Sequence, residues 1–118
     1  MDPVRALALA VADQPDVQLA VLFGSAGRGA LHRHSDLDLA VLGPATVERL
    51  ATLAVTLSRR TGRQVDLTSL ETAPPLLRFE IARTGEVLLE RRAYLWADVK
   101  ARVAAGLDND PYEMDEDD

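Results

Sequence analysis

The sequence predicts a mixed α/β (α+β) domain in which helices flank a small mixed sheet, and three observations carry that prediction. Short segments alternate apolar and polar residues at the two-residue period of a strand. Longer segments between them have the spacing of amphipathic helices, and glycine or proline stands at most of the junctions.

Residues 4–11 carry alanine, leucine and valine at helical spacing and are broken by Asp13, Pro15 and Asp16, which gives a first helix. Val17, Leu19, Val21 and Phe23 then alternate with Gln18, Ala20 and Leu22, a strand packed on at least one face that runs straight into Gly24-Ser25. A second strand spans residues 36–42, with Leu37, Leu39 and Val41 on one face and Asp36, Asp38 and Ala40 on the other, and Gly43-Pro44 ends it. In residues 45–61 the apolar set Val47, Leu50, Ala51, Ala54 and Leu57 predicts a helix, with Gly62 placed for a left-handed cap. Residues 64–68 form a third strand in which Val65 and Leu67 face the core and Asp66 faces away. Pro74 and Pro75 open a helix that holds Leu77 and Ile81 and closes at Gly85, a strand follows over 86–89, and a last helical stretch covers about 91–106.

A chain of 118 residues with 47% hydrophobic composition has the size of one domain with one core. With no cysteine there is no disulfide framework, thiol nucleophile or thiolate zinc site, so the chemistry falls to oxygen and nitrogen groups. No apolar run approaches the roughly 20 residues that span a bilayer, and the N-terminus lacks a cleavage pattern, so a soluble, untargeted, cytoplasmic protein is expected. The net charge of −6 is unevenly placed: seven of the 19 acids lie in residues 108–118, leaving residues 1–107 with 12 acids against 13 Lys and Arg. The reading is a domain over 1–107 and an acidic tail over 108–118, where lack of periodicity and Pro111 predict a disordered or partner-ordered extension. The near-neutral body shows no basic stripe, so direct binding of nucleic acid is not expected.

Two carboxylates at i and i+2 of a strand project to one face with Cα atoms roughly 6.5 Å apart, close enough to share a hard cation. Asp36 and Asp38 meet that condition, and their mutual repulsion calls for a compensating cation, for which magnesium is the natural candidate. Asp66, on the polar side of its own strand, supplies a third carboxylate; three oxygens from two strands can serve two metals about 3.5–4 Å apart. Taken alone, an Asp-x-Asp is also what a solvated strand end looks like. It does not stand alone. Just upstream, Gly24 permits close backbone approach, Ser25 and the neighbouring amides are suited to phosphate oxygens, and Arg28 adds a positive charge placed either to touch phosphate or to tie the turn to an acid. No Gly-Lys-Ser/Thr follows, so the turn is not a Walker A loop. Ser35 is placed to orient the turn around Asp36 rather than to act as a nucleophile, and His32 and His34 read as loop histidines rather than zinc ligands. Tyr94 and Trp96 are either interface aromatics or anchors of the last helix.

The run GSAGRGALHRHSDLDLAV resembles the signature of the nucleotidyltransferase superfamily that includes DNA polymerase beta and kanamycin nucleotidyltransferase. It is most similar to the minimal MNT-type nucleotidyltransferases, whose pattern Gly-Ser-x-Ala-Arg-Gly then Ser-Asp-x-Asp-Leu is matched by Gly24, Ser25, Arg28, Gly29, Ser35, Asp36, Asp38 and Leu39; Gly27 replaces the common alanine. The likeness continues through QVDLTSL, where the third aspartate falls on Asp66, and LLRFEIARTGEVLLER, and covers roughly residues 4–95.

The resemblance implies the polymerase beta-like fold and catalytic aspartates Asp36, Asp38 and Asp66. Asp36 and Asp38 would coordinate two Mg2+ ions, with Asp38 as the bridge, and Asp66 would complete the site near the attacking hydroxyl. Gly24 and Ser25 would hold the β and γ phosphates of ATP, with Arg28 and Ser35 completing the nucleotide-binding set. MNT-type proteins commonly act as antitoxins that transfer AMP from ATP to a tyrosine of a HEPN-domain ribonuclease toxin. The expected partner is therefore such a toxin in a hetero-oligomer, the more so because larger relatives carry an acceptor-binding domain that this sequence lacks. Two alternatives stay open: an antitoxin that neutralises by binding alone, and transfer to a small acceptor such as an aminoglycoside.

Overall fold

The computed structural model describes residues 2–24 and 36–106. Its elements run α1 (Pro3–Ala12), β1 (Leu19–Phe23), β2 (Leu37–Leu42), α2 (Val47–Thr61), β3 (Val65–Ser69), α3 (Pro75–Thr84), β4 (Glu86–Glu90) and α4 (Leu95–Ala104). The strands form one mixed sheet in the order β3-β2-β1-β4. β1 is antiparallel to β2 and to β4, whereas β2 and β3 are parallel. A parallel pair cannot be joined by a tight turn, and α2 is the crossover that joins this one. Ser25, Arg28, His32, His34 and Ser35 lie outside the described residues, as does the acidic segment 108–118.

The alternation read in the sequence sorts side chains between two apolar layers. On one face Ala20, Leu22, Leu37, Leu39, Val41 and Val65 pack against Leu7, Ala10 and Val11 of α1 and Leu53 and Leu57 of α2. On the other, Leu19, Val21, Phe23, Ala40 and Leu42 meet Ile81 of α3 and Leu95, Trp96 and Val99 of α4. All five residues of β1 are buried, because this strand is central and covered on both faces. Trp96 is a core residue, with Lys100 Nζ 5.5 Å from its ring centroid, while Tyr94 is 76% exposed.

Helix ends follow the sequence signals with two differences. Asp2 caps α1, Thr46 caps α2 by accepting from Arg49 N at 3.0 Å, and Gly62 ends α2 at φ 70°. The stripe that α2 buries is, however, Leu50, Leu53, Ala54 and Leu57, with Val47 and Ala51 turned outward. Both sets satisfy the helical period; packing selects the one that brings two leucines, Leu53 and Leu57, to the core. The last helix begins at Leu95 rather than near Arg91, because Tyr94 adopts a left-handed φ of 67°, which cannot continue a right-handed helix. Glu90 closes the new end by accepting from Trp96 N at 2.7 Å. Gly85 joins α3 directly to β4, where a Cβ would overlap Val21 Cγ1 and the carbonyl oxygen of Ile81.

Arginines tie the connections together. Arg91 donates from Nε to Val17 O at 2.7 Å and from Nη2 to Ala12 O and Gln14 O, each at 3.1 Å, so one side chain satisfies carbonyls at the end of α1 and along its link to β1. Arg49 forks onto Asp16, with Nε to Oδ2 at 2.7 Å and Nη2 to Oδ1 at 2.8 Å, and holds the Asp16 carboxyl below its ordinary range. The buried Arg78 donates to Ala73 O at 3.0 Å and Glu71 O at 2.7 Å, fixing the turn between β3 and α3. Among the described residues no helix is long and apolar enough to cross a membrane.

Replacing Arg91 by methionine keeps the aliphatic stem and removes three hydrogen bonds, leaving Gln14 O only its bond from Val17 N, which costs about 1–3 kcal/mol in urea denaturation. Arg60→Met, which removes only an exposed bridge to Asp13 at 3.0 Å, costs no more than about 1 kcal/mol.

Candidate active site

The site begins with strand register. Asp38 of β2 and Asp66 of β3 are direct partners in the parallel pair, which sets their backbones about 4.8 Å apart with both side chains on one face. Asp36 precedes β2 by one residue and shares the parity of Asp38. Along that face, Leu42 and Ala40 lie in the core, Asp38 is half-buried and Asp36 exposed, so the strand passes from apolar layer to open carboxylate within one element. Asp66 is exposed, and Val65 and Leu67 turn toward the α1/α2 layer, as the alternation predicts.

Gly24 follows β1 and completes the edge. Phe23 pairs with Asp38 across the antiparallel strands, and Gly24 adopts φ 72° beside the Asp38 carboxylate. A Cβ at Gly24 would stand 2.6 Å from Asp38 Oδ2. Glycine is therefore required here both for the left-handed turn and for the space that the carboxylate occupies.

Burial, then the charges of Asp66 and Asp36, push the Asp38 carboxyl above its ordinary value. Burial is the larger cause, and the nearness of Asp66 and Asp36 adds to it. Among the described residues no group of three or more His, Cys, Asp or Glu side chains is arranged to hold a metal ion by itself. The donor set nevertheless fits magnesium, which takes hard oxygen ligands and is ordinarily held by one or two carboxylates together with substrate phosphates rather than by a protein cage. A cation at Asp36 and Asp38, with Asp66 beside them, would offset the repulsion that raises the Asp38 carboxyl.

A residue that the sequence reading passed over also belongs to this edge. Gln64 donates from Nε2 to Asp66 Oδ1 at 3.0 Å; its signal in the sequence was the i, i+2 spacing that puts both side chains on one side of an extended segment. Clefts lined by Leu42, Arg92, Leu95 and Arg102 (about 350 Å3) and by Phe79, Ala82, Lys100 and Val103 (about 290 Å3) include none of the three aspartates.

Because its carboxyl titrates above the ordinary range, ionised Asp38 lowers folding stability; the penalty grows as pH rises through the unfolded value and is complete above the folded value. Asp38→Asn is thus expected to raise Tm at neutral pH in a chelator, and added Mg2+ to raise the Tm of the unsubstituted chain but not of the variant, in differential scanning calorimetry. Gly24→Ala is expected to lower metal affinity at least tenfold by displacing the carboxylate, as read by Mn2+ titration; unaltered affinity would remove Gly24 from the site.

Residues 7–94 match the family model described as polymerase beta, nucleotidyltransferase. The chain is 38% identical over 76 residues to the protein adenylyltransferase MntA of Shewanella oneidensis; the alignment covers 63% of this chain and 55% of that protein, so this chain spans about half the length of that relative. Its fold is similar to a solved toxin–antitoxin with AMP-PNP, with a TM-score of 0.75 and 26% identity over 90% of this chain and 86% of that one. It is also similar to a complex of the tri-AMPylated Shewanella oneidensis HEPN toxin with its MNT antitoxin, with a TM-score of 0.62 and 25% identity over 89% and 85% of the two chains. With the mixed sheet, the paired aspartates and the family match in agreement, the chain belongs to the polymerase beta nucleotidyltransferase family.

Proposed function

We propose that this chain transfers AMP from ATP to a hydroxyl, a tyrosine of a HEPN-domain toxin in a cytoplasmic hetero-complex, and thereby acts as antitoxin. The observation that carries the reading is the carboxylate cluster at the sheet edge, with Asp38 directly paired to Asp66 and seated against Gly24. The similarity to MntA and to complexes holding AMP-PNP or an AMPylated toxin supplies the nucleotide and the acceptor. The catalytic unit is assigned to residues 1–107, with the acidic segment 108–118 as an appendage.

In this reading Asp36, Asp38 and Asp66 would hold the divalent cations, with Asp66 on the side of the acceptor. Magnesium, when bound, lowers the cost of the negative charge that develops on phosphate and leaving oxygens. Gly24, Ser25, Arg28 and Ser35 hold the nucleotide, with Gly24 and Ser25 at the β and γ phosphates. The acceptor oxygen attacks the α-phosphorus in line, a new O–P bond forms, and the bond to the β-phosphate oxygen breaks with its electron pair leaving on pyrophosphate. The tyrosine proton passes to the Asp66 carboxylate and from there to water. The sheet edge contributes rigidity: all three aspartates sit on or next to strands, so their spacing is fixed before substrate arrives.

The test is intact-mass analysis of a HEPN toxin incubated with the chain, ATP and Mg2+. One or more adenylate increments on the toxin are expected, with toxin ribonuclease activity falling in step. Asp36→Asn combined with Asp38→Asn is expected to lower the transfer rate by at least 100-fold. Unchanged toxin mass with full inhibition establishes neutralisation by binding alone, and adenylation of an aminoglycoside but not of the toxin assigns a small-molecule acceptor.

A further inference from the structure

Gln64 lies one residue before β3 and two before Asp66, and hydrogen bonds hold its carbonyl and the amides on either side of it. Leu37 N donates to Gln64 O at 2.9 Å, which ties it to the start of β2. On either side, Arg63 N donates to Thr61 Oγ1 at 3.2 Å and Val65 N to Ser58 Oγ at 2.9 Å, anchoring the segment to the last turn of α2. From this base the side-chain amide reaches Asp66 Oδ1 at 3.0 Å. The direction of that bond is set by chemistry: a carboxylate oxygen accepts, and within a glutamine side chain only the amide nitrogen donates.

We propose that Gln64 is a positioning residue for the nucleotidyl transfer: its amide holds Asp66 Oδ1 and fixes the carboxylate plane, so that Oδ2 is the oxygen left for the site. The inference rests on the reading of Asp66 as an active-site carboxylate. An aspartate at the exposed edge strand, without this bond, is free to rotate about its side-chain torsions away from Asp38, and the bond removes that freedom where the alignment of reacting groups matters. The role requires a donor of this length. Asparagine is one methylene short, and glutamate presents an acceptor and a like charge to Asp66.

The experiment uses the full chain with Mn2+ as the metal probe, read by electron paramagnetic resonance, alongside adenylate transfer from ATP and thermal melting. Gln64→Ala is expected to weaken Mn2+ binding and lower kcat by about tenfold, leaving KM for ATP and Tm unchanged, since the side chain is exposed. Gln64→Glu is expected to be worse than Gln64→Ala. In an Asp66→Asn background Gln64→Ala is expected to change Mn2+ affinity no further, because the amide acts only through that carboxylate. Wild-type affinity and kcat in Gln64→Ala, with both lost in Asp66→Asn, would overturn the role of Gln64 alone. Loss of Tm in Gln64→Ala, or an additive effect in the double variant, would also overturn it. Wild-type behaviour of Asp66→Asn would instead refute the assignment of Asp66, and this inference with it.

Discussion

The parallel pairing of β2 with β3 is the constraint on which the remainder of the site depends. Asp38 and Asp66 are 28 residues apart in sequence, yet register makes them neighbours on one face. A shift of one residue would turn Asp66 into the α1/α2 layer and bring Val65 and Leu67 out of it. Several interactions guard that register: Val65 and Leu67 pack on the α1/α2 side, Leu37 N bonds to Gln64 O, and Ser58 of α2 receives Val65 N. Beyond the strand, Leu70 N continues the pairing by donating to Val41 O at 2.9 Å. The crossover helix thus does more than connect two strands; its last turn sets where β3 begins.

The same arrangement shows how a sheet accommodates repelling charges. The apolar layers on both faces of β1 and β2 hold the strands rigid, and the carboxylates are confined to the rim where that packing ends. Asp38, the most buried of the three acids, bears an electrostatic cost, since burial and two neighbouring acids all disfavour its charge. Gly24 gives up a side chain so that this carboxylate has room. Arg91, Arg49 and Arg78 stabilise the connections by satisfying carbonyls and one acid.

Much of this was legible in the residues. Alternation over 36–42 placed Asp36 and Asp38 opposite Leu37, Leu39 and Val41, and the structure keeps that division. The strand at Asp66 and the cap at Gly62 were legible for the same reason: each rests on local chemistry, a period or a φ preference. Reading failed where two local solutions were equivalent. The choice between Ala51 and Leu53 on α2 is made by the sheet beneath, and the late start of α4 by Tyr94 and the Glu90 cap, neither of which carries a strong local signal.

The sequence by itself determined the fold class, the shared face of Asp36 and Asp38, and the family, because strand period and a short motif are properties of neighbouring residues. Tertiary structure alone decided that β3 lies parallel to β2 rather than elsewhere in the sheet, and that Gly24 makes room for Asp38. Those contacts depend on strand order and on the closeness of segments far apart in the chain, and no period or propensity encodes which distant strand will be the partner.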